Sequence, residues 1–181
     1  EQAKQYAGVL AFLAVAAIII GALNSFGQED FKRLVAYSSV NHMGFVILGI
    51  AAAARVQGGE NATLALNGAV LQMFNHGIIT GGLFFLVGVI YERAHSRDLA
   101  LKDADGQPLR DENNKVIPAF GGLGKMTPYY YGIFLVTAFA SLGLPGLAGF
   151  WAEFFVFRGA FEIMPWFAAI GVVGIVVTAA E

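Results

Sequence analysis

Five long apolar stretches, separated by polar connections, dominate the pattern of this chain. Apolar runs of about 20 residues are typical of helices that cross a lipid bilayer. The pattern predicts an all-α fold, a polytopic transmembrane helical bundle within a single domain covering residues 1–181. The expected spans cover about residues 6–26, 31–54, 63–91, 128–163 and 165–180.

The fourth apolar stretch is too long for one straight span, and a Gly/Pro cluster interrupts it at residues 141–149, SLGLPGLAG. Pro145 lacks an N–H and clashes with the preceding turn, while the neighbouring glycines weaken helical structure. We therefore expect a fourth helix broken around Gly143–Gly149, with half-helices at about 128–142 and 149–163. A break inside a membrane leaves backbone groups free to line a cavity.

Charges in the connections predict the orientation, because cytoplasmic loops carry an excess of Lys and Arg. One side of the alternating spans holds eight basic residues and the other holds three. This bias places the 28–33 connection and the 92–126 loop on the cytoplasmic side. The loop is expected to form a surface loop or small hairpin without chemistry of its own. The eight basic residues on the cytoplasmic side are Lys32, Arg33, Arg93, Arg97, Lys102, Arg110, Lys115 and Lys125, and the three on the opposite side are Lys4, Arg55 and Arg158.

Composition narrows the function classes. Hydrophobic residues make up 57% of the chain and charged residues 13%, against about 25% charged in a soluble domain. The net charge of −2 gives no case for binding nucleic acid, and the absence of cysteine excludes thiolate-held clusters and disulfides. The three histidines lack metal-ligand spacing, so no metal site is expected. A start without Met and an end within an apolar run predict an internal piece of a longer polytopic protein.

Glu153 is the most informative residue because it stands in an otherwise apolar stretch beside the predicted break. A charged residue at the centre of a membrane helix costs roughly 2.5–3.5 kcal/mol and marks a functional site by default. A carboxyl in this position predicts an ion or proton site. The alternative is that Glu153 pairs structurally with a basic residue elsewhere in a longer chain.

Other polar residues inside the spans predict a buried hydrophilic track. Gln72, His76 and Thr80 are four residues apart and share one helix face. Histidine suits proton transfer because it accepts and donates protons near neutral pH. The alternative is that these groups only form hydrogen bonds between helices. Asn75 flanks the stripe, and the further members are Ser38, Ser39, Asn41 and His42 in the second span and Thr137 and Ser141 in the fourth.

Two charged groups near the span ends have simpler interpretations. His95 stands among Glu92, Arg93 and Arg97 and is expected to be an interfacial residue. Lys32 and Arg33 open the second span, and their expected role is to fix its topology. The alternative for this basic pair is to guide protons or to contact a neighbouring subunit.

Three segments in order resemble the antiporter-like subunits of respiratory complex I (NDH-1). They are EDFKRLVAYSSVNHMGFVILGI, FNHGIITGGLFFLVGVIYERAHSRDL and SLGLPGLAGFWAEFFVF. The resemblance covers nearly the whole chain except the 99–119 insert. It is strongest to the type called subunit M, chain 4 or D, because Glu153 stands where sister subunits typically carry lysine and because YERAHSRDL is typical of that type.

The resemblance implies a fold and a function. The family contains two inverted five-helix repeats, each with a broken fourth helix, so this chain is similar to the second repeat. Glu153 then matches the terminal acid of the central hydrophilic axis, and His76 and His42 match the proton-transfer histidines of two preceding helices. The family's other key acid and lysines belong to the first repeat, so this chain would hold half of a proton path.

The expected function is therefore proton translocation within an NADH–quinone oxidoreductase, whose redox chemistry takes place in other subunits. The subunit would carry no cofactor and no metal, and its partners would be other membrane subunits of the complex and the lipid bilayer. The expected location is a bacterial plasma membrane, with a mitochondrial inner or thylakoid membrane as alternatives. The rival hypotheses are a subunit of a multi-subunit Na⁺/H⁺ antiporter, a membrane-bound hydrogenase subunit, and a structural spacer.

Overall fold

The structure is a computed structural model that describes residues 2–56 and 58–179. Most of these residues are helical, and the β-structure among the other described residues consists of isolated bridges. This confirms the predicted all-α fold class. In chain order the helices are α1 (Gln2–Phe26), α2 (Phe31–Val56), α3 (Glu60–Ala94), α4 (Leu123–Met126), α5 (Pro128–Ser141), α6 (Ala148–Ile163) and α7 (Pro165–Thr178).

The first three helices are each long and apolar enough to cross a membrane. Their most apolar windows have mean hydropathies of 2.5, 1.5 and 1.7. The third helix has 35 residues and is therefore about 52 Å long, well beyond the roughly 30 Å of hydrocarbon. A membrane helix of this length has to tilt or project from the bilayer. The shorter helices leave the predicted count of five spans as a prediction.

Small residues let the helices pack closely around α2 and α3. A Cβ atom added at Gly44 would lie 2.6 Å from a carbon of Ile18 on α1. One added at Gly68 would lie 2.5 Å from the backbone nitrogen of Val156 on α6. Because lipid tails offer helices no hydrophobic incentive to associate, close backbone approach of this kind supplies the packing energy. It also fixes α6 against α3, which positions the ionisable residues of both helices.

The polar connections before α2 and after α3 lie at the same end of the bundle, as the alternation of spans requires. Phe31 N–H donates to the Arg97 carbonyl at 2.9 Å, and Arg97 pairs with Asp30 at 3.3 Å. Lys102 binds Asp98 at 3.1 Å and Glu29 at 3.2 Å. Hydrogen bonds to Asp98, and then to Glu29, raise the pKa of Lys102 above its usual value.

The 99–119 insert contains an eight-residue repeat, LKDADGQP followed by LRDENNKV. Its three short segments pair in a closed triangle, with Leu101 N–H donating to the Ile117 carbonyl, Ile117 to Leu109, and Leu109 to Leu101. Asp103 and Asp111 each accept two backbone N–H groups within the turns between these segments. The acidic side chains therefore shape the turns of a three-segment arrangement, in the part of the chain where the sequence predicts a surface loop or small hairpin.

Candidate functional site at the helix break

The predicted break lies between α5 and α6. The first half-helix ends at Ser141 and the second begins at Ala148, within one residue of the expected bounds. Gly143 and Gly146 adopt φ values of 67° and 96°, a left-handed conformation that glycine reaches without steric cost. Pro145 stands between them and cannot continue a helix. The Gly/Pro cluster therefore turns the chain sharply between two short helices.

The lengths of the half-helices place the break at membrane depth if the pair crosses the bilayer. With 14 and 16 residues, they measure about 21 Å and 24 Å, and neither alone spans roughly 30 Å of hydrocarbon. The first turn of α6 has no side-chain cap, and Asn75 on α3 donates to the Ala148 carbonyl at 2.8 Å. Irregular backbone is thus held against a neighbouring helix, as membrane proteins require.

Glu153 is buried in the second turn of α6, with 7% of its surface exposed. Its side chain points back toward the break, since helical side chains tilt toward the N-terminus. A Cβ atom on Gly143 would lie 2.9 Å from Glu153 Oε2, so the missing side chain of Gly143 makes room for the carboxylate. Its other oxygen, Oε1, lies 3.3 Å from His42 Nδ1.

The imidazole ring of His42 lies close to side chains from three other helices. It is 2% exposed, and its Nδ1 faces Glu153 on α6. Its Nε2 lies 3.4 Å from Ser141 Oγ at the end of α5. Gln72 Nε2 on α3 lies 3.4 Å from the same Nδ1. The arrangement can hold and pass a proton, because a carboxylate, a hydroxyl and an amide lie within reach of one titratable ring.

His76 lies next to His42, with ring centroids 5.4 Å apart. Thr80 Oγ1, one turn further along α3, lies 3.2 Å from a ring nitrogen of His76. A cavity of about 10 Å³ is lined by both histidines, Gln72 and Ser141. A cavity needs about 10–15 Å³ at this scale to hold one water. The cavity between the two rings is therefore at the lower limit of the space that one water needs.

The structure thus brings together all three predicted site residues, Glu153, His76 and His42, from three helices. Gln72, Ser141 and Gly143 complete the cluster and were not among the predicted site residues. The sequence shows Gln72 and Ser141 as polar residues within the predicted spans, but their contact with His42 depends on tertiary packing. The role of Gly143 in seating the carboxylate has no sequence signal beyond the Gly/Pro cluster itself.

Several polar residues of the expected track take no part in this cluster. Ser39 and Thr137 donate to carbonyls one turn earlier in their own helices. Asn41 donates to Thr178 on α7 at 2.6 Å, on another side of α2. His95, which the sequence predicts to be interfacial and not part of the track, caps the C-terminal end of α3 in a left-handed conformation with φ of 51°. The hydrophilic track is therefore shorter than its polar residues suggest.

A larger cavity of about 340 Å³ extends from the polar connections to His42. Phe31 and Leu99 line it at one end, and Ser141 lines it beside His42. α5 meets α2 through Phe134 against Phe31 and through Ser141 against His42, and none of its residues is buried. Ser38, another member of the expected track, also lines this cavity. The cavity lies between the ring of His42 and the end of the bundle that carries the basic loops, and its lining is mostly apolar.

Comparison with known proteins identifies the family of this chain. Residues 1–178 match the family described as NADH:quinone oxidoreductase/Mrp antiporter, TM. The chain belongs to this family. It is an integral, multi-pass membrane protein, as its long apolar helices also indicate.

Curated relatives in the family are subunits of quinone oxidoreductases. The chain is 46% identical over 155 residues to NAD(P)H-quinone oxidoreductase chain 4 1 of Synechococcus elongatus, covering 86% of this chain and 24% of the relative. It is 41% identical over 172 residues to NADH-quinone oxidoreductase subunit M of Pseudomonas aeruginosa, covering 95% and 29%. The chain therefore spans about a quarter of the length of the curated relatives it matches.

Solved structures show the same fold. A chain of respiratory complex I from Thermus thermophilus with bound NADH matches with a TM-score of 0.80 and 31% identity, over 97% of this chain and 32% of that one. A chain of the Mrp complex from Dietzia sp. matches with a TM-score of 0.77, over 97% of this chain and 28% of that one. Because the identity to the Mrp chain is only 22%, that likeness shows the fold alone.

Proposed function

We propose that this chain is part of a proton-translocating membrane subunit of an NADH–quinone oxidoreductase. His42 and His76 would relay a proton along α2 and α3, and Glu153 would bind and release it at the helix break. Membership of the family and the names of the curated relatives support the assignment to this class of complex. The observation that carries the mechanism is the buried contact of 3.3 Å between His42 Nδ1 and Glu153 Oε1.

The driving force would reach this site as an electrostatic change and not by electron transfer. Two charges a few ångströms apart interact far more strongly in a protein interior than in water. A charge that moves on a neighbouring subunit would therefore change the proton affinity of the His42–Glu153 pair. In this proposal the subunit carries no cofactor, quinone is reduced elsewhere in the complex, and the membrane is the bacterial plasma membrane or its mitochondrial or thylakoid counterpart.

Replacing Glu153 by glutamine tests the proposal because it removes the ionisable carboxyl and keeps the shape. In the full-length subunit within an assembled complex, we expect Glu153→Gln to reduce proton pumping at least about tenfold, since positioned proton-transfer groups contribute about 10²–10⁴-fold. Glu162→Gln is the matched control on the same helix, because Glu162 is exposed and pairs with Arg158. The control should pump within about twofold of the unmodified protein.

The rival hypotheses give different results in the same membranes. A structural spacer predicts that neutralising Glu153, His76 and His42 leaves coupling intact, so normal pumping by an assembled Glu153→Gln complex would contradict our proposal. A Na⁺/H⁺ antiporter predicts transport that depends on sodium and not on quinone. Purification with flavin and iron–sulfur subunits tests for a redox complex. The electron donor that those subunits oxidise then distinguishes the oxidoreductase from a hydrogenase.

A further inference from the structure

His42 Nδ1 has two competing neighbours on different helices. Glu153 Oε1 on α6 lies 3.3 Å away and Gln72 Nε2 on α3 lies 3.4 Å away. A ring nitrogen offers either one proton or one lone pair in the plane of the ring. His42 Nδ1 therefore engages one of these two neighbours well at any one time.

The two neighbours suit opposite protonation states of that nitrogen. An ionised carboxylate only accepts hydrogen bonds, so Glu153 suits a protonated Nδ1. An amide nitrogen only donates, so Gln72 Nε2 suits an Nδ1 that carries no proton. Ser141 at the far side of the ring is compatible with both states, because its hydroxyl both donates and accepts.

Gln72 is held where its amide affects His42 directly. It is 3% exposed, and its Oε1 has no hydrogen-bond partner among the described residues. It also lines the small cavity that His42 and His76 share. Among the described residues, Nε2 is therefore the amide atom of Gln72 that has a neighbour within hydrogen-bonding distance, and that neighbour is His42 Nδ1.

We propose that Gln72 is a positioning residue that sets the tautomer of His42. Its amide stabilises the neutral ring with the proton on Nε2 and the Nδ1 lone pair free, which is the form that accepts the next proton at Nδ1, the nitrogen that faces Glu153. When Nδ1 takes the proton of a protonated Glu153 carboxyl, the bond to Gln72 is lost and a charge-assisted bond to the resulting Glu153 carboxylate replaces it, since bonds between charged groups are stronger. The inference rests on the proposed proton-carrying role of His42.

The charged and titratable groups around His42 are few. Glu153 faces it from α6 and His76 faces it from α3. The sequences of α5 and α7 contain no charged residue, and that of α1 contains only Lys4 near its start. Gln72 is thus the neutral group within hydrogen-bonding distance that favours the unprotonated Nδ1.

The test is ¹⁵N NMR of the full-length protein in membranes with labelled histidine, which distinguishes a protonated from an unprotonated Nδ1. The His42 signal is assigned by its loss in His42→Gln. We expect Gln72→Met, which keeps an unbranched side chain but loses the amide, to lower the ratio of unprotonated to protonated Nδ1 about three- to tenfold, the scale of one lost hydrogen bond. Gln72→Leu should give the same change if Gln72→Met folds poorly.

Asn67→Leu is the control, because Asn67 also lies on α3 but is exposed, and it should leave the ratio unchanged. An unchanged ratio in both Gln72 variants, or a shift toward the unprotonated form, would overturn the proposal. The latter result would mean that Gln72 Oε1, rather than Nε2, faces His42. The measurement is made at rest without turnover, so its failure is distinguishable from loss of the pumping effect of Glu153→Gln.

Discussion

Two neighbouring residues of α2 form two very different buried pairs. Asn41 is completely buried and donates to Thr178 on α7, while His42 faces Glu153 on α6. The first pair is neutral and cannot change its charge at any ordinary pH. The second joins two groups that both gain and lose protons, beside a broken helix. Burial of a polar residue in a membrane helix is therefore not in itself a sign of transport.

The surroundings of the two pairs differ as much as their chemistry. Around Asn41 the backbones of α1 and α2 are in close contact, since a Cβ on Gly21 would lie 2.6 Å from the Asn41 nitrogen. Around His42 the packing is looser, because a small cavity lies against its ring, whereas the larger cavity borders both His42 and Thr178. A rigid contact suits an amide that locks two helices together. Space for water and movable side chains suits a group that exchanges protons.

Gly143→Ala is expected to separate His42 from Glu153 without changing the charge of either residue. The added Cβ would lie 2.9 Å from Glu153 Oε2, and the flexible carboxylate would move away from its place beside His42. We expect pumping to fall about tenfold or more, because misplacement by about 1 Å can cost about 100-fold. The measurement is proton pumping per quinone reduced in assembled complexes.

Gly146→Ala separates this effect from backbone strain. Gly146 also has a positive φ, 96°, but nothing lies within 4 Å of a Cβ placed there. Both variants carry the strain of a left-handed alanine, about 1–2 kcal/mol, and only Gly143→Ala disturbs Glu153. If the two variants pump equally well, the position of the carboxylate does not matter and the comparison fails.

The smallest effect is expected from breaking the first pair. Asn41→Ala removes the hydrogen bond to Thr178, and hydrogen bonds between membrane helices contribute on average about 0.6 kcal/mol and at most about 1.7. The loss should be near the lower value, since Thr178 also donates to the Gly174 carbonyl and Asn41 Oδ1 has no partner among the described residues. Denaturant titration in micelles measures it.

Pumping gives the complementary result for the same variant. Per folded complex, Asn41→Ala should pump like the unmodified protein, because the amide does not contact the ionisable cluster. A loss of pumping without a loss of stability would show that Asn41 belongs to the proton path. The distinction between the two pairs would then be wrong.

Much of the fold follows from local sequence, and the candidate site only in part. The Gly/Pro cluster at 141–149 marks the break because proline and left-handed glycines act locally. Likewise Glu153 stands out because a carboxyl in an apolar run is costly wherever the helix packs. The i, i+4 spacing of Gln72, His76 and Thr80 similarly places them on one face.

The contacts between helices do not follow from local pattern. Both Asn41 and His42 are polar members of the same span, and only packing decides that one faces α7 and the other faces α6. Ser39 and Thr137 look equally suited to a hydrophilic track, yet their hydroxyls bond to their own helices. The close approach of α3 and α6 at Gly68 helps to bring Gln72 and Glu153 to the same side of His42, and that approach is a property of both helices together.

The central claim is that His42 and Glu153 act as one proton-carrying unit. A double-mutant cycle with His42→Gln, Glu153→Gln and both together tests it most directly, using proton pumping in membranes where assembly is confirmed. Groups that act as a unit are non-additive. We predict that the double variant pumps no worse than the more impaired single variant. Losses that multiply would show that the two residues act independently, and full pumping by either single variant would show that the pair is not on the path.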